Sequence, residues 1–190
     1  MKNIINLYPV IFKTALLALL ISTQSCSNSS QTKNTGAMDA TTTDSAYSAN
    51  EKQFFVKVAN INLEEIQLGQ LAQQNGSLPA VRDMGKMMEE DHRKCMNELT
   101  VLANKKSITL PAAVNEDAQA DYKKLSEKSG SAFDKDYCDM MVSGHKDAIS
   151  LFKDDSATST DQGVKQWVIS TLPALRKHLS HAIACQDQCK

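Results

Sequence analysis

After residue 50, apolar residues recur at helical spacing along most of the chain and almost nowhere at the two-residue alternation of a half-buried strand. Ser48-x-x-Glu51 has the form of a capping box. Behind it Phe54, Val58, Ile61, Glu65, Leu68 and Ala72 fall at steps of three and four, one stripe down a first helix that stops near Gly76. Ser77 and Pro79 open a second helix, with proline in the first turn where its missing N–H costs nothing. Its stripe is Val81, Met84, Met88, His92, Cys95, Leu99 and Leu102. Thr109-Leu110-Pro111 has an extended signature, so 107–111 is a loop. Glu116 to Lys128 predicts a short polar helix, ended by Ser129-Gly130-Ser131. A third long helix, Phe133 to about Asp155, turns Phe133, Tyr137, Met141, His145, Ala148 and Phe152 inward. A fourth, Gln162 to Gln188, does the same with Val164, Val168, Thr171, Leu175, His178, Ala182 and Cys185, and Pro173 inside it is expected to kink it. Short connections within each pair of long helices predict antiparallel neighbours. The expectation over 51–190 is therefore an all-α fold, an up-down four-helix bundle with a short extra helix before the third long one.

The first fifty residues follow another pattern. Lys2 and Lys13 flank a weak apolar start, and 15–21 (ALLALLI) has no polar residue. So short a run reaches only about 10 Å as a helix, against the ~30 Å of a hydrocarbon core. With the small polar residues that follow, 1–25 reads as a secretory signal. Thr23-Gln24-Ser25-Cys26 has the shape of a lipoprotein processing site, with Thr23 where leucine is usual, and Cys26 is the residue expected to carry lipid; simple cleavage to a soluble periplasmic protein and an uncleaved anchor are the alternatives. Of the twenty-four residues from Ser27 to Asn50, fourteen are Ser, Thr, Asn or Gln, too polar to offset the entropy of ordering them. Residues 26–50 are thus expected to be a lipidated cysteine and a tether that lifts the domain off a membrane. The implied location is the cell envelope, as a periplasmic or outer-membrane lipoprotein.

Composition narrows the function classes. Four prolines, seven glycines and 5% aromatic residues in 190 argue against an all-β fold, and a net charge of −1 supplies no basic field to recruit nucleic acid. There is no phosphate-cradling glycine loop, no Gly-x-Ser-x-Gly elbow and no CxxC. Glu89-x-x-His92 is half of a di-iron motif, but Cys138, Met141 and Val142 precede His145 where a second half would need its glutamate. A ferritin-type redox enzyme is accordingly the weakest of the readings.

Each long stripe holds one residue foreign to an apolar core: Glu65, His92, His145 and His178. A buried ionised carboxylate needs a partner, and imidazoles on facing helices are the ones at hand. Counting residues from the connections puts His92 and His145 at one level, Glu65 about 5 Å away along the axis, and His178 some five residues out of step. One carboxylate and three imidazoles suit a single transition metal, Cu, Zn or Fe. Cys95, Met141, His181 and Cys185 are secondary ligand candidates, soft donors of the kind that select Cu(I). The alternative is a metal-free Glu65–histidine network that fixes helix register in a structural or protein-interaction domain, with the histidine pKa raised by the carboxylate. Of the remaining thiols, Cys185 with Cys189 and Cys95 with Cys138 are the pairings open to disulfides, and free buried thiols are the alternative.

Residues 62–72 (NLEEIQLGQLA), 81–92 (VRDMGKMMEEDH), 133–137 (FDKDY), 141–145 (MVSGH) and 171–179 (TLPALRKHL) together resemble the domain of unknown function 4142 family. The likeness covers about 53–183. It implies an exported bacterial protein with a ferritin-like four-helix bundle, and it carries the family pattern onto Glu65, His92, His145 and His178. Gly144 departs from that pattern, standing where the family usually has an aspartate before the histidine.

Overall fold

The computed structural model describes residues 49–189. The expected signal, Cys26 and most of the tether lie outside the described residues; the tether's last two, Ala49 and Asn50, are in the first helical turn. Five helices follow in order: α1 (Ala49–Asn75), α2 (Pro79–Lys105), α3 (Glu116–Ser126), α4 (Gly130–Thr158) and α5 (Gln162–Gln188). The domain is all-α, with no strand among the described residues. Nor is any described helix long and apolar enough to cross a membrane.

The helix starts follow local chemistry. Asn115 and Asp161 cap α3 and α5, their side chains accepting from Ala118 N and Val164 N at 2.9 and 2.8 Å. α2 has proline in its first turn and is capped from a distance. Buried Asp134 of α4 accepts from Ser77 N and Leu78 N, both at 2.9 Å, and from the Ser77 hydroxyl at 2.6 Å. α4 begins three residues before the expected Phe133, because Gly130 at φ +61° supplies a left-handed turn. α5 runs unbroken through Pro173, which faces outward, so the Ile169 carbonyl it deprives of a donor lies on an exposed turn.

α1 packs most extensively against α2, and α4 against α5; α1 also touches α4, and α2 touches α5, more sparingly. The core consists of two apolar clusters. One joins Phe54 and Phe55 at the start of α1 to Leu99 of α2, Phe152 of α4 and Trp167 of α5. The other joins Leu71 and Ala72 at the end of α1 to Met84 and Met88 of α2, Leu125 of α3, Tyr137 of α4 and Ala182 of α5. Starts therefore lie beside ends, and both tight pairs are antiparallel.

Within the first pair the backbones meet. A Cβ built on Gly69 would stand 2.6 Å from the Gly85 carbonyl oxygen, and one built on Gly85 would stand 2.6 Å from that of Gly69. At the far end Lys106, just past α2, is buried between Glu51 of α1, at 3.6 Å, and Asp161 at the start of α5. The stripe expected on α1 is buried at Phe54, Val58, Glu65, Leu68 and Ala72 and departs at one position, where Asn62 is buried and Ile61 only partly so.

Candidate metal centre

Between the two apolar clusters lies a polar layer. His92 of α2, His145 of α4 and His178 of α5 are 3%, 1% and 2% exposed, and their ring centroids stand 5.3–5.7 Å apart. The residue count from the connections left His178 out of step; the fold brings it into direct contact with the other two. One nitrogen from each ring lies within 4.8 Å of one from each of the others.

The hydrogen bonds fix which nitrogens those are. His145 Nδ1 is 2.9 Å from the Met141 carbonyl oxygen, which can only accept, so Nδ1 carries the proton and Nε2 a lone pair. His178 Nε2 is 2.8 Å from a carboxylate oxygen of Asp91, so its proton is on Nε2 and its lone pair on Nδ1. Asn62 Nδ2 donates to the Val58 carbonyl at 2.9 Å. That turns Asn62 Oδ1 toward His92 Nδ1 as an acceptor, 2.9 Å away, and leaves His92 Nε2 buried with a free lone pair. Each imidazole thus spends its N–H on an oxygen behind it. His145 Nε2 and His178 Nδ1, both lone-pair nitrogens, face each other at 3.3 Å.

Burial holds the three rings neutral. It drives His92 well below the usual imidazole range, brings His145 down to about 4, and lowers His178 despite the opposing pull of Asp91. This reverses the raised histidine expected from a Glu65–imidazolium pair. Glu65 is itself pushed up to about 8, first by burial and then by Glu64, so at neutral pH the two partners are uncharged. Its Oε1 is 3.8 Å from His145 Nδ1, the nitrogen turned away from His178, and its Oε2 is buried without a hydrogen bond. Glu65 is therefore beside the trio rather than within it.

Other candidates fall elsewhere. Met141 serves His145 through its carbonyl. His181 is exposed. Cys95 packs against the first apolar cluster, away from Cys138 in the second, so the fold does not bring that pair together; burial raises the Cys95 thiol to about 11. Cys185 belongs to a second ligand group, in which Sγ atoms of Cys138, Cys185 and Cys189 lie within 4.8 Å of one another. All four described thiols are free. Glu89 is taken up by Arg93, Gln73 and Gln70, which lower it to about 2, so the half di-iron motif contributes nothing to the trio. Asn62 and Asp91 went unnoticed as site residues. The available signals were a polar residue one turn beyond Val58 and an acid directly before His92.

The charge states predict a pH profile. For the metal-free protein, the unfolded chain binds protons on these histidines below about 6.5 while the native rings resist them, so stability falls as pH drops from 6.5 toward 4. Glu65 has the opposite sign: its native carboxyl keeps a proton that the unfolded chain has lost, so its contribution fades as pH rises toward 8. Urea melts of wild type and Glu65→Gln in chelator should therefore diverge by on the order of 1–2 kcal/mol between pH 6.5 and 8. Parallel profiles would mean that Glu65 ionises normally in the folded state.

A helical domain whose core is divided by three converging neutral imidazoles is, by fold and site, a helix-bundle protein with the donor set of a metal centre. Residues 36–185 match the family described as Domain of unknown function (DUF4142), and the chain belongs to that family. No curated protein and no solved structure matches it.

Proposed function

We propose that this domain binds one transition-metal ion through His92, His145 and His178 without catalysing a reaction, as a cell-envelope protein held to the membrane by lipid on Cys26. The four long helices are read as a ferritin-like up-down bundle, the scaffold in which facing helices supply interior ligands. The observation that carries the reading is the pair of lone-pair nitrogens, His145 Nε2 and His178 Nδ1, at 3.3 Å. Two bare lone pairs at that distance repel, and burial opposes the proton that would bridge them. A cation between them removes the conflict. Two nitrogens each about 2.05 Å from a tetrahedral ion lie about 3.3 Å apart, the observed separation. Neutral imidazole suits Zn, Cu and Fe, and the oxygens of Asn62, Met141 and Asp91 act as the outer partners that orient ligating rings. Glu65 is left as a neutral neighbour.

The test is metal content by mass spectrometry after separate loading with Zn(II), Cu(II) and Fe(II). With the thiols blocked by alkylation, one ion per chain is expected, abolished by His145→Ala and weakened about 10- to 100-fold by Asn62→Ala or Asp91→Ala. Equal retention by wild type and His145→Ala would overturn the assignment. The competing reading, in which the polar layer only fixes register, draws on the same layer's division of the core. It predicts that His92→Leu with His145→Leu raises the melting temperature and leaves metal content and envelope phenotype unchanged.

A further inference from the structure

We propose that Cys138, Cys185 and Cys189 form a second, separate metal site whose occupant is Cu(I). Cys138 lies on α4 seven residues before His145, and Cys185 lies on α5 seven residues after His178. Because α4 and α5 are antiparallel, both steps run the same way, and the thiols sit about 10 Å along the axis from the imidazoles. The two sites share no ligand.

Geometry supports coordination. Cys138 Sγ and Cys189 Sγ are 3.7 Å apart, and all three sulfurs fall within 4.8 Å of one another. Sulfurs bound at about 2.3 Å are about 3.8 Å apart around a tetrahedral ion and about 4.0 Å apart around a trigonal one, so the observed spacing brackets both. Cys138 and Cys185 are buried and Cys189 is half-buried at the end of α5.

The donor set selects the metal. The group contains three sulfurs and neither imidazole nor carboxylate. Thiolate-only sites favour soft ions, Cu(I) and Zn(II) among them, but Zn(II) fills a fourth position with a protein ligand or water, and this largely buried group offers three sulfurs alone. Three-sulfur coordination therefore points to Cu(I). A separate feature agrees: Cys185 lines a cleft of about 450 Å³ between α2 and α5 that is also bordered by Met84, Met87 and His181. Thioether and imidazole donors along a cleft that ends at a buried thiol give a soft ion a route inward. On loading, three S–H bonds break, three Cu–S bonds form, copper stays in the +1 state, and three protons pass to solvent.

The test uses the full chain carrying Cys26→Ser, reduced and kept anaerobic. It is titrated with Cu(I) from its acetonitrile complex against the competing chelator bicinchoninate. One Cu(I) per chain is expected, with an all-sulfur shell of three by X-ray absorption. Each of Cys138→Ser, Cys185→Ser and Cys189→Ser should weaken binding by more than the roughly 10- to 100-fold that loss of an outer-shell partner costs. Cys95→Ser and His92→Ala should leave it unchanged, which separates this site from the imidazole trio. Alanine versions, checked by circular dichroism, replace any serine variant that fails to fold. Unchanged Cu(I) affinity in folded Cys138 and Cys185 variants overturns the proposal. So does Zn(II) displacing Cu(I) from the thiols, a nitrogen-containing shell, or a fully reduced chain that takes up no Cu(I).

Discussion

Saturating Zn(II) should raise the melting temperature of this domain by on the order of 10 °C, and chelator should return it to the metal-free value. An ion that binds only the folded state adds RT ln(1 + [L]/Kd), about 4 kcal/mol at a thousandfold excess over Kd. For a domain of this size each kcal/mol moves the midpoint by roughly 3 °C. The pH range of the effect is set by the native site, where the competing protons must land. Burial holds the His145 imidazole near 4, and His92 and His178 are also lowered. Free imidazoles would surrender the metal between pH 7 and 5; here part of the shift should survive at pH 5.5 and collapse toward pH 4. Scanning calorimetry at those three pH values, with and without chelator, decides the matter. No chelator effect at any of them would remove the metal centre. A shift already lost by pH 5.5 would show that the rings titrate as if exposed.

Gly85→Ala should cost about 3 kcal/mol, although alanine is the better helix former by about 1 kcal/mol. The new methyl would meet the Gly69 carbonyl oxygen at 2.6 Å and the Ala72 methyl at 2.7 Å. Neither contact belongs to the end of a flexible side chain, so α1 and α2 must separate along their most extensive interface. The damage should reach the site. Asn62 on α1 orients His92 on α2 through one 2.9 Å hydrogen bond, and parting the helices lengthens it. Denaturant unfolding of Gly85→Ala and Gly69→Ala, followed by zinc titration, should show lower stability and weaker binding together. Wild-type stability in both variants would mean that the helices have room to adjust.

The helices were legible in the sequence because their apolar stripes are long and their breaks are marked by Gly76-Ser77, Pro111 and Ser129-Gly130. His92, His145 and His178 were legible because a polar residue interrupting an apolar stripe carries information. Glu65 was legible as a buried residue from its position on the stripe, but which side of His145 it flanks was not. Asn62 was hidden because a polar side chain beside an apolar Ile61 reads as the solvent side, whereas its amide is satisfied inside by the Val58 carbonyl and His92. The depth of His178 was misjudged by counting along helices from loops whose geometry the sequence does not give. Spacing left the thiols open between two pairings and the free state, and the four described thiols are free. Cys138 meets Cys189 across α4 and α5, a contact between residues fifty-one apart that no local spacing announces.

The two tight helix pairs bear on how quickly a bound ion would come and go. His92 belongs to the first pair, His145 and His178 to the second, and Asp91 reaches across from the first to hold His178. A metal at the trio would therefore bridge the sparser seam between two hairpins. The rings are almost wholly enclosed, 1–3% exposed, between the two hairpins. The hairpins must part first, and that separation breaks the same bonds that hold the ion. Uptake would then be limited by how often the empty seam breathes, and release by a slower event in which opening and metal loss occur together. A protein built this way would keep its ion through brief dips in free metal and exchange it only over many openings.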